Sequence, residues 1–378
     1  MRTSLVTRLI LTLVLVSTSD ALAAPAPGVV AKRQNESFKK WFGTELVWRF
    51  DALPENAMVP KFRLPYSGAI YPDQNRGTAQ VLRKYDRAFN RGRRAAEAFE
   101  YRDIEGTKEQ KRGGLFGFRM VNKTPYWAGH CNGWTAAAIR HAEPAQNVVR
   151  NGVVFTPSDI KGLLAELYTY TKIEELGGDF GDVNPAILHV TLANWLGRYQ
   201  HPIAMDSTSG KEVWNYPIYA YRSTSAKRSS RRVEVKLNIG YSNYTDQEFD
   251  VGPEDFKYMY FHYLLDLDAQ GNIIGGTFYR DSKRIDMVWV PLQPTQGGRE
   301  GNERGNPYLN VKSVLSLWRA SIQNDLRDKW FAIDAAEEDL VAWETANEAG
   351  EKEEAGELAK AAEEVAEEGV EVSSDAID

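Results

Sequence analysis

The sequence predicts an α+β fold in which a helical N-terminal half packs on a C-terminal antiparallel sheet. Before residue 200, apolar residues recur at helical spacing behind capping signals such as Thr156-Pro157. After residue 200, apolar and polar residues alternate, most regularly over 232–241. Alternation is typical of half-buried strands, and a run of helices followed by a run of strands favours the α+β class.

The helices are predicted from apolar spacing and from the residues at their ends. Residues 24–40 are rich in proline and alanine and then polar, so a linker is expected there. The predicted helices are 85–101, a segment opening at Cys131, 160–170, 186–196 after Asn184-Pro185, and 310–333.

The strands are predicted from alternation and from the turn signals between them. A turn at 268–272 joins two of these strands into a hairpin. The predicted strands are 203–206, 232–241, 258–267, 273–279 and 285–290.

The N-terminus has the pattern of a secretory signal peptide over residues 1–23. Arg2 and Arg8 precede or flank the apolar stretch 9–16, and Ala21-Leu22-Ala23 has the small residues of a cleavage site. An uncleaved anchor is the alternative, but this stretch is shorter than the roughly 20 apolar residues that span a bilayer. A secreted or periplasmic protein without stable membrane insertion is therefore expected.

The charge of the chain is divided between a basic body and an acidic tail. Residues 334–378 contain 17 acidic residues and two lysines, so the rest of the chain has an excess of basic residues. The tail is Ala/Glu-rich and of low complexity, with too few apolar residues to form a core. We expect one catalytic domain over 24–333, helical to about residue 200 and sheet over about 201–291. The basic run 227–232 is interpreted as a hairpin tip, and no nucleic-acid partner is predicted.

Cys131 is the single cysteine of the chain and the first candidate for chemistry. It follows Gly129-His130 and precedes a run of helix-forming residues. The positive end of a helix dipole favours a thiolate, which is the nucleophilic form. A buried, inert thiol is the alternative.

A thiol nucleophile needs a base and often a third group that orients the base. His189 lies on an apolar helical segment and is the best of five histidines, although a satisfied core histidine is the alternative. Asp206, at a strand end, is a candidate for the orienting carboxylate. From spacing alone, Asp179, Asp182 and Asn215 fit this role equally well.

An acyl-transfer site also needs donors for the oxyanion of the tetrahedral intermediate. The backbone N–H of Cys131 is one candidate. The indole N–H of Trp127 and the amide of Asn122 are others, although core packing is the more common role of a tryptophan. The sequence predicts no cofactor and no metal site, because zinc-type spacing and a phosphate loop are missing. A loose calcium site at 179–182 is left open.

The motifs together resemble the transglutaminase elicitor family of oomycetes, which has bacterial members of papain-like character. The resemblance rests on motifs spread over roughly residues 115–291, of which the histidine segment and Val-Trp-Asn-x-Pro are the more specific. These motifs are Trp127-Ala128-Gly129-His130-Cys131-Asn132-Gly133-Trp134, Thr156–Lys161, Asn184–His189, Met205-Asp206, Val213-Trp214-Asn215-Tyr216-Pro217 and Gly271–Gly276 with Trp289.

The resemblance implies a papain-like, transglutaminase-like fold with Cys131 as nucleophile, His189 as base and Asp206 as orienting acid. Trp127, Trp134 and Asn215 are the candidates for binding the oxyanion or the substrate. The implied reaction forms a thioester with a protein glutamine and transfers the acyl group to a lysine or other amine, or to water. Its partners are thus proteins that carry glutamine and lysine.

Two other functions remain open from the sequence. A papain-like cysteine protease or amidase has the same nucleophile, because proteolysis differs only in which carbonyl enters the site. A non-enzymatic surface-binding protein is the third hypothesis, in which Cys131 is a buried structural residue.

Overall fold

The computed structural model describes residues 27–105, 108–113, 117–122, 124–178, 182–246, 248–323, 325, 326 and 329. The predicted signal peptide at 1–23 and the acidic tail at 334–378 lie outside these residues. Among the helices described, none has both the length and the apolar character to cross a membrane.

Seven helices are described, and their ends follow the expected chemistry. The helix after Thr156 has a full capping box, since Asp159 N–H donates to Thr156 Oγ1 and Thr156 N–H donates to Asp159 Oδ2. The helices are α1 (Pro27–Phe42), α2 (Ala79–Phe89), α3 (Ala95–Glu105), α4 (Cys131–Arg140), α5 (Pro157–Tyr168), α6 (Pro185–Leu192) and α7 (Val311–Ser321). A π-helical segment, Ala193–Arg198, extends α6.

Eight of the twelve described strands form one antiparallel sheet. They are β1 (Asn56–Met58), β6 (Ile173–Gly177), β7 (Ile203–Asp206), β8 (Asn215–Ser229), β9 (Arg232–Ser242), β10 (Phe256–Leu267), β11 (Ile273–Phe278) and β12 (Met287–Pro291). Their order is β11-β10-β9-β8-β7-β12-β6, with β1 paired to the middle of β8. The two small hairpins pair β2 (Lys108–Gly113) with β3 (Gly117–Asn122), and β4 (Val148–Arg150) with β5 (Val153–Phe155).

The large sheet separates two hydrophobic cores. Successive side chains on a strand point to opposite faces. On β12, Val288 and Val290 join the core that contains α6, whereas Trp289 joins the core formed by α2, α4, α5 and α7. On β7, Met205 faces α6 and Ala204 faces the other helices. The face on which a helix packs therefore decides which strand residues it can reach.

The α+β class predicted from the sequence is confirmed. The hairpin at 268–272 and the strands around it are present, as are α5 and α6. The predicted helix 85–101 is wrong as a single element, because a turn with Arg91 and Gly92 at positive φ separates α2 from α3. The expected linker at 24–40 is wrong where the chain is described, since α1 begins at Pro27. The helical and sheet halves also interleave: β1 and β6 precede residue 200.

Candidate active site

Cys131 is the first residue of α4 and follows a loop held tightly against a neighbouring segment. His130 N–H donates to Ile70 O at 2.7 Å. A Cβ at Gly129 would lie 2.7 Å from the same oxygen, so only glycine allows this approach. The first N–H groups of a helix lack partners within it, so this position favours a negative charge on the sulfur.

The back of α4 touches α5 through glycine. A Cβ at Gly133 would lie 2.0 Å from Ala165 O, so the two backbones are in contact there. Asn132 Nδ2 donates to Thr169 O at 2.6 Å, just beyond the end of α5. These contacts fix the position of the start of α4, and hence of Cys131, against α5.

The sulfur is buried against the start of β8. Cys131 is 5% exposed, and its thiol donates to Val213 O at 3.6 Å. Asn215 Nδ2 donates to the sulfur at 3.8 Å. Burial raises the pKa of the Cys131 thiol above its ordinary value, while hydrogen bonds from Asn215 and the Asn132 N–H act in the opposite direction.

Asn215 is oriented by a tryptophan on the same face of the sheet. Trp289 Nε1 donates to Asn215 Oδ1 at 2.9 Å, and both side chains are buried. With its oxygen held by the indole, the amide presents its NH₂ group to Cys131. Asn215 is also the register partner of Asp206 across β7 and β8, so the two residues share a face.

Asp206 is the charged group that acts on the thiol. Its negative charge contributes to raising the pKa of Cys131. Its Oδ1 accepts hydrogen bonds from Trp214 N–H at 3.0 Å and from the backbone and hydroxyl of Thr208 at 3.2 and 3.1 Å. Burial raises the pKa of Asp206, which these hydrogen bonds partly offset. The structure thus places Asn215 at the sulfur and Asp206 beside Asn215 on the neighbouring strand.

The segment 207–214, which we name the covering loop, joins β7 to β8 beside the sulfur. Glu212 links this loop to the turn before Cys131, because Tyr126 Oη donates to Glu212 Oε1 at 2.5 Å. Trp214 Nε1 donates to the second oxygen of Glu212 at 3.3 Å. Val213 O of the same loop contacts the thiol, so the loop covers part of the sulfur.

The structure does not bring His189 to Cys131. His189 lies on α6, where Nδ1 is 2.8 Å from Tyr263 Oη and the ring stacks on Phe50. Its neighbours belong to the core on the α6 face, whereas Cys131 approaches the sheet from the opposite face. Burial lowers the pKa of His189 to about 4, so the ring is neutral near pH 7. The prediction of His189 as the base is therefore corrected: it is a satisfied core histidine.

The two predicted tryptophans differ in their surroundings. Trp134 is fully buried on α4 and its Nε1 donates to Tyr66 O at 3.2 Å, so its N–H is used within the core. The prediction that Trp134 binds substrate is corrected for this reason. Trp127 is half-buried in the turn before Cys131. The suggested calcium segment is described only at Asp182, which contacts Ser209 and, at 3.3 Å, Arg284.

Sequence reasoning missed a cluster of ionisable groups directly behind the cysteine. His130, Glu100 and Glu166 are all buried. Burial alone lowers the pKa of His130, but Glu100 and Glu166 raise it overall to about 10. Glu100 and Glu166 lie on different helices, 30 or more residues from His130, and no local motif joins them. The only signal was an unusual histidine beside the cysteine.

The comparisons with known proteins agree with this fold. The family model described as "Transglutaminase elicitor" matches residues 108–178 and 177–249. A solved structure, the GP42 transglutaminase from Phytophthora sojae, is 23% identical and has a TM-score of 0.59, covering 76% of this chain and 97% of that chain. No curated protein is significantly similar to the chain. The resemblance predicted from the sequence is confirmed, because the model of the transglutaminase elicitor family matches the chain over residues 108–249.

Proposed function

We propose that the chain is an exported transglutaminase-like acyltransferase that uses Cys131 to form a thioester with protein glutamine. The single observation that carries this proposal is the placement of the sulfur at the start of α4, in contact with Asn215 and beside Asp206. A helix N-terminus, an amide donor and a carboxylate are the groups that a thiol acyltransferase needs.

In the first half of the reaction, the Cys131 sulfur attacks the carboxamide carbon of a glutamine. Asp206 takes the thiol proton as the S–C bond forms, and the N–H groups at the start of α4 stabilise the oxyanion. The C–N bond then breaks, and ammonia leaves with the proton that Asp206 returns. The amide of Asn215, oriented by Trp289, stabilises the negative sulfur.

In the second half, the amine of a lysine attacks the thioester carbon. The amine loses a proton to Asp206, the C–S bond breaks, and the returning proton restores the thiol. The product is an isopeptide cross-link. Water in place of the amine gives deamidation. Trp127, half-buried in the turn before Cys131, is proposed to contact the glutamine side chain.

The function is tested by incubating the purified protein with a glutamine-bearing protein and a fluorescent primary amine, with and without reductant. We expect covalent incorporation of the amine. Cys131→Ala should reduce the rate by about 1,000-fold or more, because the nucleophile is lost. Asp206→Asn should reduce it by about 100-fold, the usual size of a general-base contribution.

His189→Gln is the matched control in this series. The sequence alone predicts that this variant is as inactive as Asp206→Asn, whereas the site described above predicts a rate within about twofold of the parent. The rate must be measured well below the melting temperature of each variant. Loss of activity in folded His189→Gln with retention in Asp206→Asn would contradict the proposed site.

Two other outcomes distinguish the competing functions. Cleavage of the protein substrate without amine incorporation indicates a cysteine protease or amidase. A non-enzymatic binding protein is favoured by one observation, the histidine that lies across the sheet from the sulfur. In that case no amine is incorporated and Cys131→Ala leaves every binding activity unchanged.

Export is proposed from the signal-like residues 1–23. Expression of the full chain in a secreting host, followed by mass determination of the released protein, should give a new N-terminus at Ala24. A product that keeps its first residues inside the cell contradicts export.

A further inference from the structure

Two carboxylates approach one nitrogen of a buried histidine on the far side of the Cys131 loop. His130 Nε2 is 2.9 Å from Glu166 Oε2 and 3.5 Å from Glu100 Oε1. The three donor atoms all lie within 4.8 Å of one another, and the three residues are buried. The residues come from three places in the chain: α3, the loop before α4, and α5.

This geometry differs from that of an ordinary histidine–carboxylate ion pair, and the chain offers a direct comparison. His262 also has two carboxylate neighbours, but they lie on opposite sides of its ring: Nδ1 is 2.9 Å from Asp281, and Nε2 is 3.0 Å from Glu234. Each N–H there has its own acceptor. At His130 a single Nε2 faces both glutamates, and one N–H cannot point at both.

The surroundings of the cluster are those of a metal-binding histidine. The other ring nitrogen, Nδ1, lies 3.3 Å from Tyr71 O, which can accept its proton. A metal ion at Nε2 would replace the proton that this nitrogen carries beside the two carboxylates, and Nδ1–H would keep its carbonyl acceptor. Thr78 supports both carboxylates, since its hydroxyl donates to Glu166 Oε2 at 2.7 Å and its N–H donates to Glu100 Oε1 at 3.1 Å.

Space for the carboxylate of Glu100 is also built into the fold. A Cβ at Gly77 would lie 2.0 Å from Glu100 Oε1, so a larger residue there would displace this carboxylate. Gly77 has a positive φ, which glycine adopts without strain. The fold therefore leaves room for this carboxylate beside Nε2, and the Thr78 N–H orients it.

We propose that Glu100, His130 and Glu166 bind a first-row transition-metal ion, with Zn²⁺ as the best-fitting ion. Imidazole and carboxylate are ligands of Zn²⁺, Co²⁺ and Mn²⁺, and imidazole disfavours Ca²⁺, which takes oxygen ligands. Three protein ligands leave the fourth tetrahedral position to water. The bound ion links α3 and α5 to the residue before the nucleophile, and so stabilises the Cys131 loop from behind.

The test is titration of the full-length, EDTA-treated protein with ZnCl₂ and with CoCl₂. We expect one tightly bound ion per chain in calorimetry and an increase in melting temperature. With Co²⁺ we expect the visible absorption of a tetrahedral site with nitrogen and oxygen ligands, without a sulfur-to-metal charge-transfer band. Glu100→Gln should weaken binding by about 100-fold or more, because it removes a ligand while keeping the size of the side chain.

Three further variants, besides Glu100→Gln, make the result decisive. Glu166→Gln should lose binding as Glu100→Gln does, and Glu100→Gln keeps the proposal testable if Glu166→Gln fails to fold. Glu234→Gln, at the His262 ion pair, should bind Zn²⁺ as the parent does. Cys131→Ser should also bind normally, which excludes the thiol as a ligand. No stoichiometric ion in the parent, or an ion that persists in Glu100→Gln, means that the cluster is an ion pair only and overturns the proposal.

Discussion

Trp289 and Asn215 set the orientation of the amide at the sulfur. Trp289→Phe removes the indole N–H that holds Asn215 Oδ1. The amide can then rotate away from Cys131, and its hydrogen bond to the negative sulfur is lost. We therefore expect amine incorporation to fall by about 10-fold, the usual effect of losing one hydrogen bond to a charged group.

Trp318→Phe is the control for this prediction. Trp318 is equally buried in the same core, and its Nε1 donates to Ala142 O at 3.0 Å. Both variants should lose similar stability in urea unfolding, but only Trp289→Phe should lose activity. An equal loss of activity in the two variants would show that packing, and not the orientation of Asn215, matters.

The sequence predicted the residues that local chemistry marks and missed those that depend on packing. Cys131 at a helix start and Asp206 at a strand end were predictable from loop and strand signals. The surroundings of His189 and Trp134 were not predictable, because helical spacing shows that a side chain is buried but does not show which residues it contacts. Asn215 was predictable only through its motif, since its role depends on Trp289, 74 residues away.

At the scale of elements, we expect the covering loop to control access to the thiol, because Val213 O of this loop contacts the sulfur. Glu212→Ala removes the acceptor of Tyr126 Oη and Trp214 Nε1. We expect alkylation of native Cys131 by iodoacetamide to become about fivefold faster, because two hydrogen bonds that hold the loop closed are lost. Lys211→Ala, at the exposed neighbouring position, should leave the rate unchanged. Equal rates in the parent and in Glu212→Ala would show that this bridge does not close the loop.

The α6 helix predicts an acid sensitivity of the fold. The pKa of His189 is lowered by burial to about 4 in the folded state, against about 6.5 in an unfolded chain. Above pH 6.5 the ring is neutral in both states and does not change the free energy of unfolding. As the pH falls from 6.5 toward 4, the unfolded chain binds a proton at this ring and the folded protein does not, so the free energy of unfolding decreases. The maximum loss is about 3 kcal/mol.

Urea unfolding of the parent and of His189→Gln at pH 7 and pH 4.5 checks this value. The parent should be destabilised more than the variant over this interval, because glutamine does not titrate and all other groups are shared. The same pH dependence in both proteins would mean that His189 gains protons as easily in the folded state as in the unfolded one.

Most of the sheet was predictable, and the reason for the exceptions is physical. β9, β10 and β11 alternate and are bounded by turns, so pattern alone identified them. β8 was missed because its second half, 224–229, is exposed and basic. β6 was missed because it is a short strand between helices, and only its pairing with β12 makes it part of the sheet.

At the scale of the whole molecule, α7 is the last described helix that packs into the core. Val314, Leu315 and Trp318 of α7 are buried against the helices that carry the site. Residues 334–378 have too few apolar side chains to add to this core, so their removal should change the melting temperature by less than about 2 °C. Truncation at residue 309, which also removes α7, should prevent folding. A large decrease in melting temperature on removing only the tail would show that the tail packs on the body.

The contact between Gly133 and Ala165 O has a consequence for how the protein can vary. A methyl group added at this position would wedge the two helices apart, and the displacement would be transmitted along one turn of α4 to the sulfur. The position of the Cys131 sulfur thus depends on the absence of a side chain at Gly133. In directed evolution of this protein, we therefore expect Gly133 to stay glycine in every active variant.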